Sequence, residues 1–384
     1  MKRPALTFLS SALLLLTACN STPPSPDLSS AAVQCQQDLA FLPGFLLTND
    51  TGATEHLAQK GQLHFDTAMS TALTQAETIG QLQECHPIIK TYLKAWRKGH
   101  LGLSILIEPL PTPEPEPENK PEGKDAAATE FSYSPQLEPL SKETLLLTVP
   151  TFNWQYADEL KQLLVTESET LKATPNWILD VRRNGGGSDS TYRPLLDLIL
   201  TDQYIVTGAE FLATPDNAKA QQAICAKMGN DPDCVAFVTP LVEAMAGVEP
   251  GSYVLPQGAT ATSYRTPENP GYSPDRVVVL IDEECGSSCE QFLLAVRQGM
   301  NVKLAGRSSY GALDYSNMRA KLLPSGAFEL YYATSRSMRL PHQPVDITGI
   351  IPDIYLAPAE GEDAARNEVL MMQRWLETGS FERE

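Results

Sequence analysis

An α/β fold, with a mainly parallel sheet and crossover helices behind a small helical domain, follows from how apolar text is distributed along these 384 residues. From Ser141 onward, short buried-strand runs alternate with stretches of helical spacing. One unit is especially sharp. Val277 to Gln298, VVVLIDEECGSSCEQFLLAVRQ, passes from an apolar strand through a tight turn at Asp282 to Gly286 into a helix over Glu290 to Val296. Residues 33–98, by contrast, read as helices joined by a turn.

Taken in order, the chain begins with Lys2 and Arg3, an apolar run, and Leu16-Thr17-Ala18-Cys19. Residues 1–18 are a secretory signal, too short for a membrane span, and are set aside from the fold. The last four residues resemble a bacterial lipoprotein signal. That resemblance implies lipidation of Cys19, membrane contact through that anchor, and a flexible stalk over 19–32. With Asn20 rather than an aspartate next, it also implies a place in the outer membrane facing the periplasm.

The chain carries 47 acidic against 29 basic residues, a formal charge of −18, which becomes −20 once Lys2 and Arg3 are removed. Such a surface repels phosphate backbones and anionic lipid, so no nucleic-acid partner is expected. With Cys19 assigned to lipid, six cysteines remain in a compartment where disulfides persist. Proximity pairs Cys225 with Cys234 and Cys285 with Cys289, which leaves Cys35 with Cys85. No Cys-x-x-Cys pair points to zinc, and neither a metal nor a cofactor is implied.

In the helical domain, Leu39, Phe41, Leu42 and Phe45 open the first helix, Met69 to Leu82 forms a second and Pro87 to Trp96 a third. Leu101 to Ile107 reads as a strand with His100 at its entrance. Residues 108–129, with PLPTPEPEPENKPEGK, are too rich in proline and charge to have a core and read as an exposed loop insertion rather than a recognition arm. Thr144 to Val149 is a buried strand, Tyr156 to Leu171 a helix, Trp177 to Val181 a strand and Tyr192 to Leu200 a helix. Ala218 to Gly229 and Val235 to Met245 read as helices around an NDPD turn, and Gly251 to Gly271 as an irregular excursion. Val302 to Leu304 continues the sheet, 321–332 alternates as antiparallel strands, and 359–384 holds a terminal amphipathic helix.

Chemistry gathers where these elements meet. Ser287 and Ser288 stand at a strand-to-helix corner, where free N–H groups of a first helical turn face a ligand. A nucleophile suits that corner, and so does an ordinary serine cap. Gly185, Gly186 and Gly187 follow another strand and can turn N–H groups toward an anion as an oxyanion hole, or simply make a tight turn. They match no nucleotide-binding pattern. His100 stands at an element boundary, as active-site residues of such sheets do, and His342 is its only rival as general base. Asp346 and Asp353 offer carboxylates near a turn, either to orient a histidine or to shape the turn itself.

The order of these segments resembles the tail-specific and tricorn-core family of serine peptidases, relatives of carboxyl-terminal processing proteases. The resemblance rests on Gly99-His100-Leu101, Asp180-Val181-Arg182-Arg183-Asn184-Gly185-Gly186-Gly187, Cys285-Gly286-Ser287-Ser288-Cys289-Glu290 and Gly349-Ile350-Ile351-Pro352-Asp353. It runs from about Leu39 to Tyr355 and implies a crotonase-like mixed sheet over a peptidase core at 99–358. It further implies Ser287 as nucleophile, His100 as general base, Asp346 as supporting acid, and the N–H groups of Ser288, Gly185 and Gly186 as the oxyanion hole. The implied activity is that of an endopeptidase or carboxyl-terminal processing peptidase acting on polypeptides of the cell envelope. The alternative is a catalytically silent relative that binds polypeptide.

Five departures from the pattern stand out. Ser309-Tyr310-Gly311-Ala312 lies where one branch of the family has its catalytic lysine. Gly99 replaces a serine, and Asp346 replaces a longer glutamate. Cysteines flank Ser287, and the interval before Trp177 has no room for a PDZ domain.

Overall fold

The computed structural model describes residues 29–107, 132–227, 229–268, 271–358, 361 and 363–381. The signal segment, Cys19, most of the stalk and the acidic proline-rich stretch lie outside the described residues. The first helix begins inside the expected stalk, at Ser30, because Ser29 caps it by accepting the Ala32 N–H at 3.0 Å.

Four helices come first: α1 (Ser30–Asn49), α2 (Ala53–Lys60), α3 (Gln62–Ala76) and α4 (Cys85–Trp96). Then follow β1 (Gly102–Ile105), β2 (Gln136–Pro139), β3 (Thr144–Thr148), α5 (Ala157–Thr166), α6 (Ser168–Ala173), β4 (Asn176–Asp180) and α7 (Asp189–Ile199). The middle of the chain forms β5 (Tyr204–Thr207), β6 (Ala209–Leu212), α8 (Pro215–Lys227), α9 (Pro232–Ala246), β7 (Tyr253–Val254) and β8 (Thr262–Arg265). The chain ends with β9 (Arg276–Ile281), α10 (Ser288–Val296), β10 (Val302–Gly306), β11 (Tyr315–Leu322), β12 (Phe328–Ser337), β13 (Ile354–Tyr355) and α11 (Ala364–Thr378).

The central sheet has the order β13-β10-β9-β4-β3-β2, parallel except where β2 runs against β3. Its inner strands are buried along nearly their whole length because both faces are covered. Leu145, Leu147, Leu179, Val277 and Val279 face α5, α7 and α10, while Leu146, Ile178, Val278 and Leu280 face α11 through Val369, Met372 and Leu376. A second, antiparallel sheet has the order β1-β12-β6-β7, with β11 also on β12. The N-terminal helices bury Leu39, Phe45 and Trp96 in one core with Phe328, Leu330 and Tyr332 of β12.

The stretch expected to be irregular, Gly251 to Gly271, contains β7 and β8. All four residues of β8 are exposed, so no apolar alternation marks it. All three expected disulfides are present: Cys35–Cys85 joins α1 to α4, Cys225–Cys234 joins α8 to α9, and Cys285–Cys289 spans the start of α10.

Candidate active site

β4 and β9 are parallel neighbours, with Asp180 opposite Leu280, so the loops leaving their carboxyl ends lie side by side. One loop carries Gly185 to Gly187 and the other Ser287. Ser287 occupies the N-cap position of α10 with φ 58° and ψ −120°, a backbone region that costs a residue with a Cβ on the order of 1–3 kcal/mol and persists only where its surroundings enforce it. Those surroundings are dense. Asp282 accepts the N–H groups of Arg183 and Glu284, each at 3.0 Å, and the Gly286 N–H donates to the Asn184 carbonyl at 3.2 Å. The Cys285–Cys289 bridge closes across the serine.

Glu290, fully buried, accepts from four donors: the Ser287 N–H at 3.1 Å, the Ser309 hydroxyl at 2.6 Å, and the N–H groups of Gly311 and Ala312 at 2.7 and 2.9 Å. It thus ties the Ser287 corner to the 309–312 loop. Sequence reasoning gave Glu290 no role, although Ser287 followed three residues later by Glu290 is the spacing of a capping box.

The glycine loop fits against this corner because it lacks side chains. A Cβ on Gly186 would stand 2.9 Å from both the Ser287 Cβ and the Ser288 nitrogen, and one on Gly187 would stand 2.2 Å from the Phe152 carbonyl. Of the expected oxyanion donors, the Gly186 N–H is already given to Asn184 Oδ1 at 3.0 Å. The N–H groups of Ser288 and Gly185 donate to no described residue.

His100 comes from the other sheet, on the loop between α4 and β1, also at positive φ, 50°. Its Nε2 lies 3.0 Å from Ser287 Oγ, and its Nδ1 hydrogen-bonds the Tyr315 carbonyl. A carbonyl can only accept, so in the neutral ring Nδ1 carries the proton and Nε2 presents its lone pair to the serine hydroxyl. Burial pushes His100 down to about 4, the Tyr315 carbonyl opposing and the Arg97 guanidinium adding to the shift. The ring is therefore neutral at pH 7.

The His100 loop is braced from below. Arg97 donates to the Gly99 carbonyl at 2.8 Å and the His100 carbonyl at 2.7 Å, and pairs with buried Asp50. Gly99 stands where a serine was noted as missing, and a Cβ there would lie 2.3 Å from the Ala312 Cβ.

The expected supporting acid is not beside the imidazole. Asp346 Oδ1 instead accepts the N–H groups of Leu313 and Asp314 at 2.6 and 2.7 Å, bracing the segment that ends in the Tyr315 carbonyl. Burial raises Asp346 to about 6; the two N–H groups pull the other way and the Asp314 charge adds to the rise. Asp353 accepts the Leu304 N–H at 2.9 Å and belongs to the turn. His342 is exposed and far from this constellation in its contacts, its N–H donating to the Arg339 carbonyl.

Residues 143–356 match the model of peptidase family S41. The fold is similar to that of mature CPAF complexed with lactacystin, with a TM-score of 0.62 and 12% identity over 92% of this chain and 100% of that one. It is also similar to that of a suspected peptidase from Parabacteroides merdae, with a TM-score of 0.54 and 13% identity over 88% and 96% of the two chains. At these identities the likeness is one of fold. Among curated proteins no sequence matches.

Proposed function

The chain belongs to peptidase family S41, and from that premise we propose that it hydrolyses polypeptides with Ser287 as nucleophile and His100 as general base. The observation that carries the reading is the 3.0 Å contact between Ser287 Oγ and His100 Nε2, with Nδ1 fixed as the protonated nitrogen by the Tyr315 carbonyl. As Oγ attacks the peptide carbonyl carbon, its proton passes to Nε2 and the carbonyl π electrons move to oxygen. The N–H groups of Ser288 and Gly185 receive that oxyanion. Collapse of the tetrahedral species breaks the C–N bond, His100 returns the proton to the leaving amine, and a water deprotonated by His100 then releases the acyl group.

Gly186 has a different part in this scheme. Its N–H stays with Asn184, and its missing side chain lets the loop approach Ser287. Asp346 acts through the backbone that presents the Tyr315 carbonyl. With the lipoprotein-like leader, the substrates are proteins or peptides of the cell envelope, cut internally or trimmed from their carboxyl ends by an enzyme anchored at Cys19.

The test is cleavage of an unfolded protein and a mixed peptide set by protein beginning at Asn20, beside Ser287→Ala and His100→Ala. Each variant is expected to lose about 10⁴-fold or more in kcat/KM with its fold intact. A parent that binds these chains without cutting them would replace the peptidase by a binding protein.

A further inference from the structure

At the far end of α10 from Ser287 lies a cavity of about 370 Å³. Its wall combines apolar Leu294, Val345 and Ile350 with Arg297, Arg339 and Asp353. Two guanidinium groups and one carboxylate line it, and a second carboxylate, Asp314, lies 3.4 Å from Arg339. Asp353 is partly committed, since one of its oxygens accepts the Leu304 N–H and the other stands 3.7 Å from Arg297. Arg297 is 38% exposed and donates no side-chain hydrogen bond to a described residue.

Arg339 is the more telling group. It is only 8% exposed, yet its one side-chain hydrogen bond among the described residues is a long one, 3.4 Å, to Asp314, and its Nε has no partner. The other Asp314 oxygen, Oδ2, accepts the N–H groups of Val345 and Asp346 at 2.7 and 2.8 Å, so Oδ1 alone meets Arg339. A buried guanidinium offers five donors, and leaving them unmatched is costly. Beyond Asp314, no described residue accepts from the Arg339 side chain.

We propose that this cavity binds a carboxylate carried on an apolar group. The planar fork of a guanidinium matches two carboxylate oxygens, and Leu294, Val345 and Ile350 supply a wall for the apolar part. A dianionic phosphate would face Asp353 without using that wall. The volume falls within the range of small-ligand pockets. Two sources share this chemistry, a peptide carboxyl terminus with an apolar last residue and a free fatty acid. The site is separate from the serine and does not depend on peptide hydrolysis.

The experiment uses the full chain carrying Ser287→Ala, so that nothing is cut. It is titrated calorimetrically with acetyl-alanyl-leucine, with the corresponding carboxamide, and with octanoate. One or both acids are expected to bind, with the carboxamide about tenfold weaker or more; the tighter acid identifies the source. Arg297→Ala, at a half-exposed position, and Arg339→Lys, which keeps the charge but loses the fork, are each expected to weaken the acid by about tenfold. Thermal unfolding reports whether Arg339→Lys is folded, and Arg297→Ala stands if it is not. Equal binding of acid and amide, no binding of either acid at millimolar concentration, or affinity unchanged in Arg297→Ala would overturn the proposal. None of these results bears on whether Ser287 cuts peptides.

Discussion

Ser287 and His100 share one hydrogen bond but are held in place by unlike means. The serine is fixed by neighbours close in sequence or on the adjacent parallel strand: the bridge from Cys285 to Cys289, Glu290 three residues on, and the glycine loop leaving β4. The histidine depends on distant segments. Asp50 meets Arg97 across 47 positions, and Tyr315 reaches His100 across 215. The family match at 143–356 contains the serine and omits the histidine. The difference teaches that Ser287 is set by two adjacent strand ends and the 309–312 loop, whereas His100 is in place only when the helices, β1 and β11 have packed together.

The largest effect on that contrast is expected from Asp50→Ala. It leaves Arg97 buried without its countercharge, at a cost of about 3–5 kcal/mol, and loosens the carbonyls of Gly99 and His100. Combining it with Arg97→Met removes the orphaned charge, so urea unfolding should recover most of the lost stability. Peptide cleavage should stay low, because nothing then holds the His100 carbonyl. Recovery of cleavage along with stability would show that the base needs no such brace.

A smaller effect is expected on the serine side. Replacing Cys285 and Cys289 together by serine opens a very short loop, worth about 2 kcal/mol in the chain-entropy view. Glu290 and Asp282 still define the turn, so kcat/KM should fall less than tenfold. A collapse of activity with the fold retained would make the bridge, rather than the hydrogen bonds, the element that enforces the unusual Ser287 backbone.

The same contrast governs what could be read from the sequence. β3, β4 and β9 were legible because a sheet covered on both faces needs continuous apolar runs, and the Ser287 corner because strand, turn and helix are local. β5 and β8 were missed because they pair with each other at the surface, where Thr262 to Arg265 show no buried alternation. Around His100, the Arg97–Asp50 pair left no pattern at its separation, and the carbonyl that orients the imidazole is main chain, which no side chain advertises. Asp346 was expected to support the imidazole; its carboxylate instead accepts the Leu313 and Asp314 N–H groups, in the segment that leads to the Tyr315 carbonyl. The serine missing at position 99 also has a steric reason, since Ala312 fills the space its Cβ would need.

The finest distinction concerns pH. His100, pushed down to about 4 by burial, keeps its Nε2 lone pair until the pH nears that value, so the acid limb of kcat/KM should fall near 4 rather than near 6.5. Between these values the unfolded chain binds the proton that the folded imidazole refuses, so the contribution of this group to stability declines as pH falls from about 6.5 to about 4. Asp346 titrates higher, near 6, and its protonation would weaken an acceptor of two N–H groups without touching the ring. If only the base controls the rate, Asp346→Asn, which keeps one accepting oxygen, should lower activity at pH 7 by less than tenfold and leave the limb near 4. A limb near 6 that disappears in Asp346→Asn would instead place the pH control in the 313–315 segment, and the long-range side of the site would then be the titrating one.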